Sequence, residues 1–178
     1  MALSTWVIDP THSEIGFKVK HMMFTNVSGN FQSFSASITN EDDNFETSKI
    51  TFSADTNSIN TNNQDRDNHL RSADFFDVEN FKSMTFESTG IEKLNDNLFN
   101  ITGNLTIKDV TKPVLLEGEY SGLMKDPWGN VKAGFSLVGK LNRKDFGLTW
   151  NAALETGGVL VSEDVKLICE IQLLKQNQ

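Results

Sequence analysis

Few residues in this chain can do chemistry. Three histidines (His12, His21 and His69) and one cysteine (Cys169) are the side chains that most often carry acid–base, nucleophilic or metal chemistry. Asp9 lies three residues before His12 and Ser13 follows it, which supplies the residue types of a nucleophilic triad. A working triad also needs the serine at hydrogen-bond distance from the imidazole and an oxyanion hole. Adjacent strand residues point to opposite faces, so Asp9 and His12 are expected instead to fix the turn entering the first long strand. No pair shows Cys-x₂₋₄-Cys or His-x₃₋₅-His spacing, so no metal site is expected. Glu41-Asp42-Asp43 lacks the ligand positions and following glycine of a calcium loop and reads as a solvated loop. Gly157-Gly158 has no strand–turn–helix context and reads as a turn before the last strand. Cys169, alone, forms no internal disulfide.

What remains points to binding. His21 follows Ile15, Phe17 and Val19 on one parity, which places a polar group at the end of an apolar row. His69 and Arg71 fall in the stretch Asn62 to Phe76, where an asparagine N-cap, acids in the first turn and an arginine near the end read as a short helix. Arginine's fork suits a phosphate or carboxylate. The plainer reading pairs Asp65 with His69 and Asp67 with Arg71 along the helix surface. Small-molecule sites combine an apolar wall with a few placed polar groups of this kind.

The elements that must position these groups are strands. Ile15, Phe17 and Val19 alternate with Glu14, Gly16, Lys18 and Lys20; Phe99, Ile101, Leu105 and Ile107 alternate with Asn100, Thr102, Asn104 and Thr106. Period-two alternation argues for strands with one buried face. Eight long strands are expected near 13–21, 28–39, 48–59, 82–94, 97–108, 113–124, 131–142 and 163–175, with a short one near 4–8. Asn95-Asp96-Asn97 and Asp126-Pro127-Trp128-Gly129-Asn130 read as tight turns, and Lys112-Pro113 as a strand start. Short connections imply antiparallel neighbours. Such a chain forms a closed barrel or a sandwich, and closure has the advantage of leaving no edge strand.

Composition narrows the function. The 178 residues fit a single domain, 1–178. Sixteen basic against 24 acidic side chains give a net charge of −8, which argues against nucleic-acid binding and disfavours docking to an anionic membrane surface. No apolar run reaches membrane-spanning length, so no stable membrane insertion is expected. Residues 1–20 carry Asp9, Pro10, His12 and Glu14 where a secretory leader would be apolar, so a cytoplasmic location is expected, or a periplasmic one if a leader has been removed. Thirteen Phe against one Tyr make most of the aromatic surface available for dry packing.

Four blocks carry a family resemblance. They are Trp6-Val7-Ile8-Asp9-Pro10-Thr11-His12-Ser13 with Phe17 to His21 and Gly29-Asn30-Phe31; Asp65 to Val78; Gly103 to Val114; and Asn142 to Asn151. In this order they resemble the YceI-like, polyisoprenoid-binding proteins. The resemblance implies an all-β fold, an eight-stranded antiparallel lipocalin-like barrel with a short helix near residues 62–72. It also implies a lumen for an isoprenoid or other long-chain amphiphile, and a homodimer.

By parity, the lumen is expected to be lined by Ile15, Phe17, Val19, Phe34, Ala36, Ile38, Phe52, Met84, Phe86, Phe99, Ile101, Leu116, Phe135, Leu137 and Trp150, with His21, His69 and Arg71 near a head group. The leading reading is a non-enzymatic binder of a polyisoprenoid, isoprenoid quinone or similar amphiphile, for transport, storage or sequestration. The bound lipid is the ligand, and no further cofactor is expected. Two alternatives stay open: an enzyme acting on a lipid or quinone, and a solid-packed barrel serving as an interaction module. Arg143-Lys144-Asp145 is expected either to fix the loop before the last strand through ion pairs or to face a partner subunit.

Overall fold

The computed structural model describes residues 2–22, 24–151 and 161–176. Alternation of apolar and polar residues produces eleven strands among these residues: β1 (Leu3–Ile8), β2 (Glu14–His21), β3 (Thr25–Phe31), β4 (Phe34–Glu41), β5 (Asn44–Asp55), β6 (Ile59–Asn60), β7 (Ser83–Lys93), β8 (Leu98–Ile107), β9 (Val110–Lys125), β10 (Val131–Asn142) and β11 (Val161–Lys175). Every pairing is antiparallel.

Hydrogen bonds run in the order β1-β4-β5-β7-β8-β9-β10-β11, and β11 pairs back to β1 through Trp6↔Lys175, Val7↔Leu174 and Ile8↔Leu173. That ring of eight strands is the closed barrel implied by the resemblance, so the sandwich is set aside. β2 continues β1 around a 3₁₀ turn at Pro10–His12, and β3 precedes β4 around a bend at Gln32-Ser33. Beyond those bends β2 pairs with β11 and β3, and β3 ends against β6.

The turns follow their sequences. Asn95 Oδ1 accepts from the N–H groups of Asn97 and Leu98, an Asx turn that closes the β7–β8 hairpin. Asp126 Oδ1 does the same for Trp128 and Asn130, with Gly129 at φ +89°. At the 3₁₀ turn Asp9 accepts from Thr11 N–H (3.0 Å) and pairs with His12 Nδ1 (2.9 Å), as expected of a turn-fixing pair. The hydrogen bond with His12, followed by that from Thr11, lowers the Asp9 carboxyl below its usual range.

Several boundaries differ from expectation. The strand expected at 28–39 is two strands. The strand expected at 48–59 begins earlier, at Asn44, and ends at Asp55. β9 begins at Val110, not at Pro113. β10 pairs with β9 only from Leu116 onward, so Pro113 sits where one side of the strand has no partner and a missing N–H costs little. The helix α1 falls within the 62–72 expected of it: it spans Gln64–Arg71, with Asn63 accepting from Arg66 N–H as N-cap and Ser72 Oγ bonding the His69 carbonyl at its end. The turn expected at Gly157-Gly158 lies outside the described residues.

The core lines the inside of the barrel. Trp6, Ile59, Phe146 and Ile107 are almost wholly buried, joined by Phe31, Phe45, Phe86, Phe99 and Ile101. Gly103 makes room for this packing: a Cβ there would collide with the Phe86 ring and the Glu87 carbonyl.

Candidate functional site

The strands enclose a cavity of about 570 Å³. It is the right size for a small-molecule site, which typically spans about 300–1,000 Å³, and far larger than the voids of a solid core. A barrel of eight strands is the size that can hold one small ligand.

One end of the cavity is stoppered. Phe45 and Phe135 meet edge to face at 5.0 Å, and Tyr120 lies against both, at 5.5 and 4.9 Å. Beneath them Trp6, fully buried, donates its indole N–H to Asn40 Oδ1 (3.3 Å), and Asn40 donates on to Ser48 Oγ (3.3 Å). Lys175 Nζ sits over the Trp6 ring and pairs with Asp43 at 2.7 Å. Burial pushes the Asp43 carboxyl up, but hydrogen bonds from Lys175 and Ser4 outweigh it and leave the group lowered. The Glu41-Asp42-Asp43 turn is therefore not simply solvated, because its last acid helps to seal the barrel floor.

Most of the polar lining residues gather at the other end, where α1 lies: Lys20, His21, Thr61, Asp65, Arg66, His69 and Arg143; Ser48 lines the wall near the stopper. We call this end the mouth. His69 packs edge-on against Trp150 (4.6 Å) and Phe75 (5.1 Å) and bonds Asp74 Oδ2 through Nε2 (2.9 Å). Asp67, buried, accepts from both the N–H and the hydroxyl of Thr61. Arg66 donates back to Thr61 Oγ1 and Thr61 O, each at 2.8 Å. The helix is thus tied to the barrel through Thr61, which leaves His69, Leu70 and Arg66 facing the cavity.

Arg143 is the other organiser of the mouth. It is buried, yet it has no carboxylate partner within salt-bridge distance among the described residues. Its guanidinium donates to four carbonyl oxygens: Leu148 (2.6 Å), Ser162 (2.8 Å), Trp150 (2.9 Å) and Val161 (3.2 Å). Burial lowers its pKa, and the field of Glu163 partly restores it. The expected ion pair in this cluster belongs to Lys144, which meets Glu163 at 2.8 Å.

Of the residues singled out in the sequence, the cavity wall contains Phe17, Val19, His21, Phe52, His69, Met84, Phe86, Phe99, Ile101, Leu116, Phe135, Leu137 and Trp150, together with Ile15, Ala36 and Ile38. Two expectations fail. Phe34 has inward parity, but β3 leaves to pair with β6 just before it. It packs against the core without reaching the cavity, and borders a separate polar cleft with Ser53, Asp55, Glu79 and Lys82. Arg71 points away from the cavity and donates to the carbonyls of Asn57 (3.0 Å) and Ile59 (3.1 Å) and to Asn68. It ties down the segment before the helix, whose two backbone carbonyls accept from its fork. Asp67 is itself turned inward, so the helix-surface pair does not form, and His69 bonds Asp74 rather than Asp65.

Sequence reasoning missed Arg66, Phe75 and Phe76, and read Arg143 only as part of a loop-fixing charge cluster, not as a residue of the mouth. The loop phenylalanines follow no period, so nothing in the alternation marked them. The row Val165, Leu167, Cys169, Ile171 and Leu173 on β11 also lines the cavity, and its alternation was there to be read. Burial pushes the Cys169 thiol up to about 11, which suits a wall residue rather than a nucleophile. No cluster of metal-ligating side chains occurs among the described residues.

A closed antiparallel barrel with a hollow apolar lumen and a polar mouth defines a class of protein built around an enclosed ligand space. Residues 6–173 match the YceI-like domain, and the chain belongs to that family. It is 38% identical over 165 residues to Protein YceI of Salmonella newport, covering 93% of this chain and 83% of that one. Among solved structures it is similar to the YceI protein of Campylobacter jejuni, with 36% identity, 96% of each chain covered and a TM-score of 0.77. A polyisoprenoid binding domain from Saccharophagus degradans shares the fold, with a TM-score of 0.65 at 14% identity over 97% of this chain and 98% of that one.

Proposed function

We propose that the barrel binds one long-chain apolar ligand, a polyisoprenoid, isoprenoid quinone or similar amphiphile, with the tail in the lumen and the head at the mouth. The observation that carries this reading is the asymmetry of the cavity: about 570 Å³ walled by aliphatic and aromatic side chains, sealed by aromatics at one end and with its charged and imidazole groups gathered at the other. The binding domain from Saccharophagus degradans supports the choice of a polyisoprenoid.

Burying each methylene contributes about 0.8 kcal/mol, so a tail of a dozen carbons offsets the cost of association. Selectivity for tail length is weak on the same grounds. The head group meets His21, His69 and Arg66, which offer donors without a nucleophile aligned to a base. That arrangement favours holding the ligand for transport, storage or sequestration over transforming it. A hollow lumen also argues against the solid-packed module.

Native mass spectrometry of freshly purified protein, followed by organic extraction, tests this. The expected result is a discrete adduct of isoprenoid-like mass, and the same spectrum reads monomer against the homodimer that we propose. An apo mass that persists after addition of isoprenoid quinones overturns the reading.

A further inference from the structure

The outer face of the barrel carries its own pattern. On β2, Lys18 and Lys20 alternate with Phe17, Val19 and His21 and are exposed; Lys20, beside His21, also borders the cavity at the mouth. Register sets Lys18 opposite Lys166 of β11, and Lys166 opposite Lys140 of β10. Three lysines therefore stand side by side across three adjacent strands, although acids outnumber bases in the chain, 24 to 16. Like charges directly opposite one another on a sheet repel. Lys140 is offset by Asp164 at 3.2 Å, and the rim acid Glu163 by Lys144. Among the described residues no carboxylate lies within salt-bridge distance of Lys18, Lys20 or Lys166. Further toward the floor the same face turns acidic, with Glu170 opposite Glu14.

The basic end of this face runs into the mouth. His21, which lines the lumen, pairs with Thr25, and the tip between them holds Met22 and Phe24, 40% and 86% exposed. An aromatic ring left in water at a hairpin tip, beside an opening into an apolar cavity and backed by unpaired cations, calls for a surface that is apolar below and anionic above.

We propose that this edge of the mouth docks reversibly on an anionic lipid bilayer, with Phe24 and Met22 entering the acyl boundary and Lys18, Lys20 and Lys166 at the head groups. Interfacial binding scales with buried apolar area plus attraction to anionic lipid, and lysine stems reach across apolar surface to keep their charge in water. The net charge of −8 leads to the opposite expectation, but charges beyond about 8 Å are screened at physiological salt, so the basic local face outweighs it. Docking is peripheral: among the described residues no helix is long and apolar enough to cross a membrane. It brings the opening against hydrocarbon, so that an apolar ligand enters or leaves without crossing water.

The proposal goes beyond the lumen reading, and its test needs no lumen ligand, so either can fail alone. The full chain is floated with vesicles of phosphatidylcholine, or of phosphatidylcholine mixed with phosphatidylglycerol, at low and high salt. The expected result is flotation with the mixed vesicles only, lost at high salt. Phe24→Ser lowers the bound fraction about tenfold, and Lys18→Glu with Lys166→Glu abolishes binding. All three positions are exposed, and circular dichroism confirms that the variants fold. No flotation with mixed vesicles at low salt overturns the proposal, as does equal flotation with both vesicle types or wild-type binding by both variants. A lipid-free dimer lost in Phe24→Ser assigns the tip to a second copy of the chain and overturns it too.

Discussion

Arg143 donates through Nη1 to the carbonyl oxygen of Trp150 at 2.9 Å, so a buried guanidinium on the barrel rim sets the indole that packs against His69. The charge is not neutralised by a carboxylate. It is solvated by carbonyl oxygens of the chain segments on either side of the loop that precedes β11, and this couples the rim to the mouth.

Arg143→Met is therefore expected to destabilise the barrel by about 3 kcal/mol, because it strands buried carbonyls that the guanidinium now satisfies. Arg143→Lys keeps the charge but loses the fork, and recovers only part of the loss. Urea unfolding with the linear extrapolation checks both; a midpoint unchanged in Arg143→Met refutes the role.

Phe135→Asp places a carboxylate among Phe45, Phe99 and Tyr120 at the stoppered end of the lumen. Ligand retention through purification is expected to disappear, since an ionised group in that wall must be either hydrated or protonated. Extraction and mass analysis of the variant reads the result directly. Retention at the wild-type level would place the ligand elsewhere.

Gly103→Val is expected to cost about 1–3 kcal/mol by overpacking. Its new side chain meets the Phe86 ring and the backbone carbonyl of Glu87, and the carbonyl is held in the sheet. Thermal unfolding measures this, and pairing the change with Phe86→Ala should recover part of the loss if the clash is the cause.

Cys169 gives a pH signature. Its thiol, pushed up to about 11 by burial, is raised above the unfolded value. The stability it contributes is then fully present below the unfolded pKa and is lost as pH rises through about 11. Reaction with an aromatic disulfide reagent at pH 8 should be slow in the native protein, with a thiolate fraction of about one in a thousand, and fast in urea. Fast native labelling at pH 8 would show that the β11 row is open to solvent.

Much of this protein was legible without coordinates. Alternation at period two marks the strands and which residues share a face, because a strand must turn one parity toward the core. The Asx turns at Asn95 and Asp126 and the Asn63 cap are written in short polar side chains that bond their own backbone. Most of the lumen wall follows from the same alternation, as Phe17, Phe86, Ile101 and Leu137 show.

Tertiary structure decided the rest. Parity alone puts Phe34 inside, but where β3 and β4 part company depends on which partner each strand finds, and that is a long-range matter. Charge spacing alone pairs Asp67 with Arg71, yet Asp67 turns in to Thr61 and Arg71 reaches the carbonyls of Asn57 and Ile59, because buried donors and acceptors must be satisfied before surface pairs count. The periodicity of a strand is local and can be read from the chain. The partner of a buried polar group is chosen by the whole fold, and only the closed barrel reveals it.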